Sequence, residues 1–166
     1  MSQGSIPAGC SILIKDTGPD ADTAERLFAY RSELKDGETF VCTYGDTLTD
    51  LDAGKLLQSA EATGKPITMT VGRPDGRYGE ITVEEGVITK FAEKQRPEFY
   101  VNRGFFVADT RLFDMWQPSF KSFERDVLPY FVARGDVAAY KADCWFHSVD
   151  SVKDLADLEA HLSAPR

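Results

Sequence analysis

Short apolar runs bounded by turn residues divide the chain into predicted strands. We expect strands over residues 11–15, 40–46, 66–71, 104–109 and 137–142. Residues 80–91 contain two alternating segments separated by a glycine, and they predict a β-hairpin that turns at Gly86.

Apolar residues at helical spacing, together with capping residues, predict four helices. Asp22 and Glu25 resemble a capping box that opens a helix to about Leu34, with Leu27 and Phe28 buried. The other helices are expected over about 52–63, over 122–134, and from Ser151 onwards, the last with a buried stripe of Val152, Leu155, Leu158 and Leu162. Strands that alternate with helices predict an α/β three-layer domain spanning residues 1–166, with the hairpin as an insertion.

Composition excludes several classes of function. The chain has 19 Lys and Arg against 27 Asp and Glu, and its net charge of −8 argues against a nucleic-acid polymer as partner. No apolar run approaches the ~20 residues of a membrane span, and the first residues do not resemble a secretory signal. Cys10, Cys42 and Cys144 form no C-x-x-C pair, so we expect a cytoplasmic protein without a membrane partner.

Few residues are arranged for metal or nucleophilic chemistry of the common kinds. His147 and His161 are the only histidines, and neither has a Cys or His partner at the spacing of a zinc site. The chain also lacks a G-x-S-x-G elbow, a P-loop and a G-x-G-x-x-G segment. The residues therefore do not support covalent catalysis through Ser or Cys.

Carboxylates at the ends of predicted strands are the remaining candidates. Asp46 directly follows a buried strand and Asp150 precedes the last helix, so the two could meet at one edge of the sheet. Two such carboxylates would suit Mg²⁺, which also takes ligands from substrate phosphates. For Asp50 and Asp52, helix capping or solvation is a better explanation than a role in the site. For Lys94, the simplest interpretation from the residues alone is a solvated surface side chain.

Five collinear segments resemble the sugar-1-phosphate nucleotidyltransferases, above all the cytidylyltransferases that use glucose 1-phosphate. The segments are TYGDTLTDLD, GKPITMTVGRPDGRYGEI, VITKFAEK, VNRGFFVAD and WFHSVDSVKDLADLE, and the similarity runs from about Ser11 to Leu162. The resemblance implies a Rossmann-like nucleotidyltransferase fold of the GT-A-like type. It also implies attack of a sugar-1-phosphate oxygen on the α-phosphorus of a nucleoside triphosphate, with CTP favoured and pyrophosphate released.

The resemblance also implies roles for individual residues. Asp46 and Asp150 would hold Mg²⁺ and count as catalytic together with Lys94, which would meet the sugar phosphate. The implied substrate-binding residues are Arg26, Gly45, Tyr78, Gly79, Glu93 and Asn102. Within this set the resemblance assigns Glu93 to sugar hydroxyls and Arg26 to the nucleotide.

Departures from the family pattern restrict this expectation. The family opens with a glycine-rich G-x-G-T-R loop that cradles the triphosphate, and no such segment is present in the sequence, which implies an N-terminally truncated domain with weak or no activity in isolation. Where the family usually has T-G-G-R, this chain has Thr23-Ala24-Glu25-Arg26, and Glu25 would place negative charge near the nucleotide. Where the family has N-G-G-F, this chain has Asn102-Arg103-Gly104-Phe105.

Two further hypotheses follow from the missing loop. A sheet without its first strand would leave an edge to be covered by residues 11–15, by a second copy or by a complementing chain. A non-catalytic module that binds sugar phosphate or sugar nucleotide remains the alternative to an enzyme.

Overall fold

The computed structural model describes residues 9–74, 79–93 and 97–163. Its elements, in chain order, are α1 Thr23–Ala29, a 3-10 turn Arg31–Glu33, β1 Thr39–Thr43, β2 Thr47–Thr49, α2 Ala53–Thr63, β3 Ile67–Gly72, β4 Glu80–Glu84, β5 Val87–Ala92, β6 Val101–Asp109, α3 Arg111–Asp114, a π-helical turn Phe123–Val127, α4 Leu128–Ala133, β7 Val137–Lys141, β8 Phe146–Ser148 and α5 Val152–Ser163.

The main sheet has four strands in the order β1-β6-β3-β7. Strand β6 is antiparallel to both β1 and β3, whereas β3 and β7 are parallel. Strands β1, β3 and β7 therefore run in one direction, and their carboxyl ends lie at the edge of the sheet where β6 begins. Ligands of α/β sheets bind beyond such an edge.

Helices cover both faces of this sheet. On one face, Phe106 of β6 packs with Leu112 of α3 and Phe131 of α4 in the larger apolar cluster. On the other face, Val107 of β6 packs with Leu56 of α2 in a smaller cluster. Residues from one strand alternate between the faces, and the arrangement is the α/β three-layer architecture that the sequence predicts.

Two short ladders lie outside the main sheet. Strands β4 and β5 form the predicted hairpin, and both Glu85 (φ 48°) and Gly86 (φ 83°) at its turn have positive φ, as a tight hairpin turn requires. The second ladder pairs β2 with β8, with Thr47 opposite Ser148. These strands have three residues each, and the sequence analysis did not predict either of them.

The predicted strand at residues 11–15 is wrong, because these residues form no regular structure. The side chains of Ile12, Leu13 and Ile14 are 66%, 56% and 87% exposed. Lys15 instead bonds to the end of α1: its backbone N–H donates to the Tyr30 hydroxyl at 3.0 Å, and its Nζ donates to the Ala29 carbonyl at 2.7 Å. The segment is held by one lysine rather than by strand pairing.

Two predicted helices are shorter or less regular than expected. Helix α1 ends at Ala29 and is followed by a single 3-10 turn, and Phe28 remains 38% exposed rather than buried. The expected helix over 122–134 begins at Ser122, whose hydroxyl accepts from the Arg125 backbone N–H, but its first turn is π-helical.

Helix α5 buries much less than its apolar stripe predicts. Only Leu158 is buried, while Val152, Leu155 and Leu162 are 86%, 46% and 56% exposed, so the prediction is wrong for these three positions. The reason is that α5 packs on β8, and this short strand offers little apolar surface to cover the helix. His161 adds a stacked contact with Trp145, with ring centroids 4.2 Å apart. None of the helices that the structure describes is long and apolar enough to cross a membrane.

Candidate functional site

The β2–β8 ladder brings Asp46 and Asp150 close together. Asp46 immediately precedes β2 and Asp150 follows β8 by two residues, and the Val149 backbone N–H donates to the Asp46 carbonyl at 2.9 Å. Asp46 Oδ1 accepts from the Thr47 hydroxyl at 3.2 Å, and Asp150 Oδ2 accepts from the Ser148 hydroxyl at 3.3 Å. Both aspartates are exposed at the carboxyl edge of the sheet.

This pair of carboxylates has the chemistry of a Mg²⁺ site. Mg²⁺ prefers oxygen ligands and is held by one or two carboxylates, with water and substrate phosphates completing its shell. Across residues 9–74, 79–93 and 97–163, no group of three or more His, Cys, Asp or Glu side chains is placed to hold a metal. A divalent ion at Asp46 and Asp150 would therefore take its other ligands from a substrate or from water.

A cleft of about 470 Å³ opens beside Asp46. Its walls include Gly45, Tyr44 and Arg26, whose Nη1 donates to the Thr17 hydroxyl at 2.9 Å. Aromatic rings contribute to the cleft from the larger apolar cluster, with Phe106 and Phe123 among the lining residues. The structure thus brings three of the predicted site residues, Arg26, Gly45 and Asp46, to one cleft.

A hydrogen-bond network that the sequence analysis missed supports the wall of this cleft. The Tyr44 hydroxyl donates to Glu124 Oε1, and Asn102 Nδ2 donates to the Tyr44 oxygen at 3.3 Å. Asn102 Oδ1 in turn accepts from the Gly104 backbone N–H at 2.7 Å. The predicted site residue Asn102 is therefore placed next to Tyr44.

The Tyr44 ring packs against Gly104, where the absence of a side chain leaves room for it. The φ of Gly104 is +74°, and a Cβ atom there would lie 2.8 Å from Tyr44 Cδ2 and 3.3 Å from the Thr47 hydroxyl oxygen. A side chain at this position would be strained in its backbone and would displace the ring.

The environments of Glu124 and Tyr44 fix their protonation states at neutral pH. Burial acts to raise the pKa of Glu124, but hydrogen bonds from Tyr44, the backbone, Thr23 and Ser122 outweigh it and leave the pKa below its ordinary value. Burial and the neighbouring Glu124 raise the pKa of Tyr44 well above its ordinary range. A charged carboxylate thus accepts from a neutral phenol, which makes a strong bond.

One signal in the sequence could have pointed to Glu124. Its position is in register with Val127, Leu128 and Phe131 at helical spacing, so a carboxylate stands on the apolar face of the predicted helix. A charged group in such a position needs a partner when the face is buried. Its partners are Tyr44 and Thr23, both more than 75 residues away in the chain.

The hairpin brings a second set of predicted residues together. A Cβ atom on Gly79 would lie 2.8 Å from Phe91 Cε2 and 3.2 Å from Glu93 Oε2, so the backbone at Gly79 closely approaches the Glu93 side chain. Tyr78 and Lys94, which the sequence analysis also assigns to the site, lie outside the described residues.

Glu25 completes the cap of helix α1. Its Oε2 accepts from the Asp22 backbone N–H at 2.9 Å and completes the capping box of α1. Its side chain lines a separate groove with Phe28 and Trp116, not the cleft beside Asp46. The expectation that Glu25 places negative charge near a nucleotide stays a prediction, and the structure shows that this carboxylate also serves the helix cap.

Comparison with known proteins finds sugar-1-phosphate nucleotidyltransferases among the relatives of this chain. The chain is 29% identical to the glucose-1-phosphate cytidylyltransferase of Salmonella typhi over 150 residues, which are 90% of this chain and 58% of that protein. It is also 29% identical over 141 residues, 80% of this chain, to the mannose-1-phosphate guanylyltransferase catalytic subunit beta of Dictyostelium discoideum, where the match spans 39% of the relative. The chain thus spans less than two thirds of the length of these relatives.

Solved structures show the same fold. HddC from Yersinia pseudotuberculosis, in its complex with GMP-PN, superposes with a TM-score of 0.67 at 18% identity over 90% of this chain and 66% of that one. The predicted GT-A-like nucleotidyltransferase fold is thereby confirmed. A sequence model of the nucleotidyl transferase family matches residues 3–163. The chain belongs to the nucleotidyl transferase family.

Proposed function

We propose that this chain takes part in nucleotidyl transfer to a sugar 1-phosphate. In this reaction a phosphate oxygen of the sugar 1-phosphate attacks the α-phosphorus of a nucleoside triphosphate. A new P–O bond forms, the bond to the β-phosphate oxygen breaks, and pyrophosphate leaves. The observation that carries the proposal is that the bond from the Val149 N–H to the Asp46 carbonyl brings the chain next to Asp150 up to Asp46, which lines the cleft.

In the proposed site, the two aspartates bind the metal and the residues of the cleft bind the nucleotide. Asp46 and Asp150 would hold Mg²⁺, which supplies charge neutralisation on the phosphates when bound. Arg26, with Gly45 beside it, would contact the nucleotide phosphates or sugar, and the apolar floor of the cleft would exclude water. Phosphoryl transfer depends mainly on such positioning and charge stabilisation.

The hairpin residues are proposed to hold the sugar. Glu93 would accept hydrogen bonds from sugar hydroxyls, and Gly79 beside it would let backbone groups approach the ring. Tyr78 and Lys94 complete this proposed set, with Lys94 at the sugar phosphate. Asn102 would orient the shared wall through its bond to Tyr44.

The substrates are proposed from the relatives. Glucose 1-phosphate and CTP come from the name of the Salmonella relative. The Dictyostelium relative has another sugar and another base in its name, so the proposal of this particular pair needs a direct binding comparison. We also propose a cytoplasmic location, in keeping with free thiols at Cys10, Cys42 and Cys144.

Titration calorimetry with glucose 1-phosphate and with CTP, each with and without Mg²⁺, tests the proposed metal site. Even outer-shell partners of a metal contribute about 10- to 100-fold to its affinity, so Asp46→Asn should weaken Mg²⁺-dependent binding at least about ten-fold. Asp50→Asn is the matched control, because Asp50 is exposed and lies just beyond β2. Equal binding by the Asp46→Asn variant and the wild type would refute the metal assignment.

One observation favours a binding module without catalysis as the second candidate. The backbone N–H groups at the start of α1 are already bonded within the protein. Thr23 donates to Asp22 Oδ1 at 2.7 Å and Ala24 donates to the Lys121 carbonyl at 2.8 Å. They are therefore not free to bind a nucleotide phosphate. Sugar-phosphate binding without CTP binding, and without pyrophosphate release in a mixture of both, would select this candidate.

A further inference from the structure

A small basic pocket lies at the same edge of the sheet as Asp46. It has a volume of about 190 Å³ and is lined by Val71, Gly72, Arg73, Tyr100, Arg103, Lys141, Ala142, Asp143 and Cys144. Three cationic side chains and one carboxylate meet there, although the chain as a whole carries a net charge of −8. The lining therefore has a local excess of positive charge, opposite in sign to the net charge of the chain.

Arg103 is held in place by contacts on three sides. Its Nη2 donates to the Arg73 carbonyl at 2.7 Å, and its guanidinium carbon lies 4.7 Å from the centre of the Phe146 ring. Gly72 supplies the third side, since a Cβ atom there would lie only 2.4 Å from Arg103 Nε. The guanidinium is thus oriented before any ligand arrives, which reduces the entropy lost on binding.

The other two cationic side chains, Arg73 and Lys141, both lie close to the Tyr100 ring. The Arg73 guanidinium carbon lies 5.7 Å and the Lys141 ammonium 5.0 Å from the centre of the Tyr100 ring, which are cation–π distances. The neighbouring Arg73 and Lys141 side chains lower the pKa of the Tyr100 hydroxyl. The cations therefore create a positive potential at this hydroxyl.

The pocket is separate from the cleft beside Asp46. Asn102 bonds to Tyr44, which lines the cleft, whereas Arg103 lies against Gly72 and the Phe146 ring and lines the pocket. The lining residues of the two cavities do not overlap.

We propose that the pocket of Arg73, Arg103 and Lys141 binds a phosphate group. The planar fork of an arginine matches phosphate oxygens, and lysine and tyrosine add further donors. A dianionic phosphate would offset the excess positive charge, whereas the volume of about 190 Å³ admits only a small group. This site goes beyond the proposed transfer reaction and uses none of the residues assigned to it.

Inorganic phosphate is the first probe, in calorimetry with EDTA and without Mg²⁺. Hydrogen bonds to charged groups contribute about 1.5–3 kcal/mol, so Arg103→Gln and Lys141→Gln should each weaken phosphate binding about ten-fold or more. Asp143→Asn should strengthen it, because a negative charge leaves the lining. Arg134→Gln, at an exposed arginine at the end of α4, is the control and should leave binding unchanged.

A second set of measurements separates this site from the proposed transfer site. Asp46→Asn should leave metal-free phosphate binding intact, and loss of binding in that variant would overturn a separate site. Equal binding by wild type, Arg103→Gln and Lys141→Gln would also overturn the proposal, as would no binding at all. Glucose 1-phosphate and CTP in the same assay show whether a sugar phosphate, a nucleotide or the free ion binds most tightly.

Discussion

At the scale of single residues, Glu124 joins side chains that are far apart in the sequence but meet at the cleft. Its carboxylate accepts from Tyr44 in one wall of the cleft, from Thr23 at the start of α1, and from the nearby Ser122. One charge therefore connects β1, α1 and the π-helical turn. Its role is positioning, because it holds the Tyr44 phenol in a single orientation.

The lowered pKa of Glu124 predicts an acid-sensitive contribution to stability. A carboxyl whose pKa is lower when folded stabilises the protein above its unfolded value, here ordinarily 4.5, and that contribution is lost as pH falls through the folded pKa. Glu124→Gln should lower the free energy of unfolding by about 1–3 kcal/mol at pH 7. The difference from wild type should shrink below pH 4.5, as measured by urea unfolding.

The control for this prediction is Glu61→Gln. Glu61 is an exposed residue of α2, so its substitution should change stability by less than about 0.5 kcal/mol. A Glu124→Gln difference that stays constant from pH 7 to pH 3 would show that the charge of Glu124 does not contribute.

At the scale of elements, α1 and the π-helical turn act as one clamp. Asp22 caps α1 and also pairs with Arg125 at 3.0 Å, while the Phe123 backbone N–H donates to the Thr23 hydroxyl at 2.8 Å. Single π-helical turns are frequent at functional sites, and this one presents Glu124 to Tyr44. The clamp keeps Arg26 of α1 at the cleft.

Removal of the helix cap tests this clamp. Asp22→Ala takes away an N-cap acceptor and should cost about 1 kcal/mol, lowering the melting temperature by roughly 2–4 °C. Asp20→Ala, in the exposed loop before α1, should leave the melting temperature unchanged. Unchanged melting of Asp22→Ala would mean that the cap contributes nothing to the stability of the fold.

The elements differ in how well the sequence predicts them, for physical reasons. Helix α2 and the hairpin were predictable, because Asp52, Gly64 and Gly86 mark their ends by local chemistry. Strands β2 and β8 were not, because three residues are too few to show a period of two. The π-helical turn was missed because it differs from an α-helix in its hydrogen bonds and not in the apolar pattern.

The site was predictable to a similar, partial extent. Asp46 and Asp150 were suggested by their position at strand ends and by the family resemblance, and β2–β8 pairing is what brings them together. The Tyr44–Glu124 contact joins residues 80 positions apart. No local pattern specifies such a partner, so sequence reasoning could identify Glu124 only as a charge that needed one.

At the scale of the whole molecule, the sheet ends in two edge strands, β1 and β7. Val41 in β1 is 47% exposed, and Val83 and Phe91 of the hairpin are 57% and 65% exposed. Open strand edges and exposed apolar side chains favour association. We therefore propose that the chain self-associates, with β1 as the pairing edge.

Light scattering coupled to size-exclusion chromatography checks this proposal over a range of concentrations. The wild type should increase in mean mass with concentration, and Val41→Lys should shift it towards the monomer, because lysine blocks edge pairing. Val132→Lys, at a 57% exposed position of α4, is the control for added charge. A monomer at every concentration would refute self-association.

The contact between Gly72 and Arg103 has a consequence for how this chain can change over evolution. Since a Cβ atom at position 72 would occupy the space of the Arg103 guanidinium, any other residue there would require the arginine side chain to turn away from its present place. A descendant that replaced Gly72 could keep the arginine, but it would lose the present position of the guanidinium and with it the arrangement of the basic pocket.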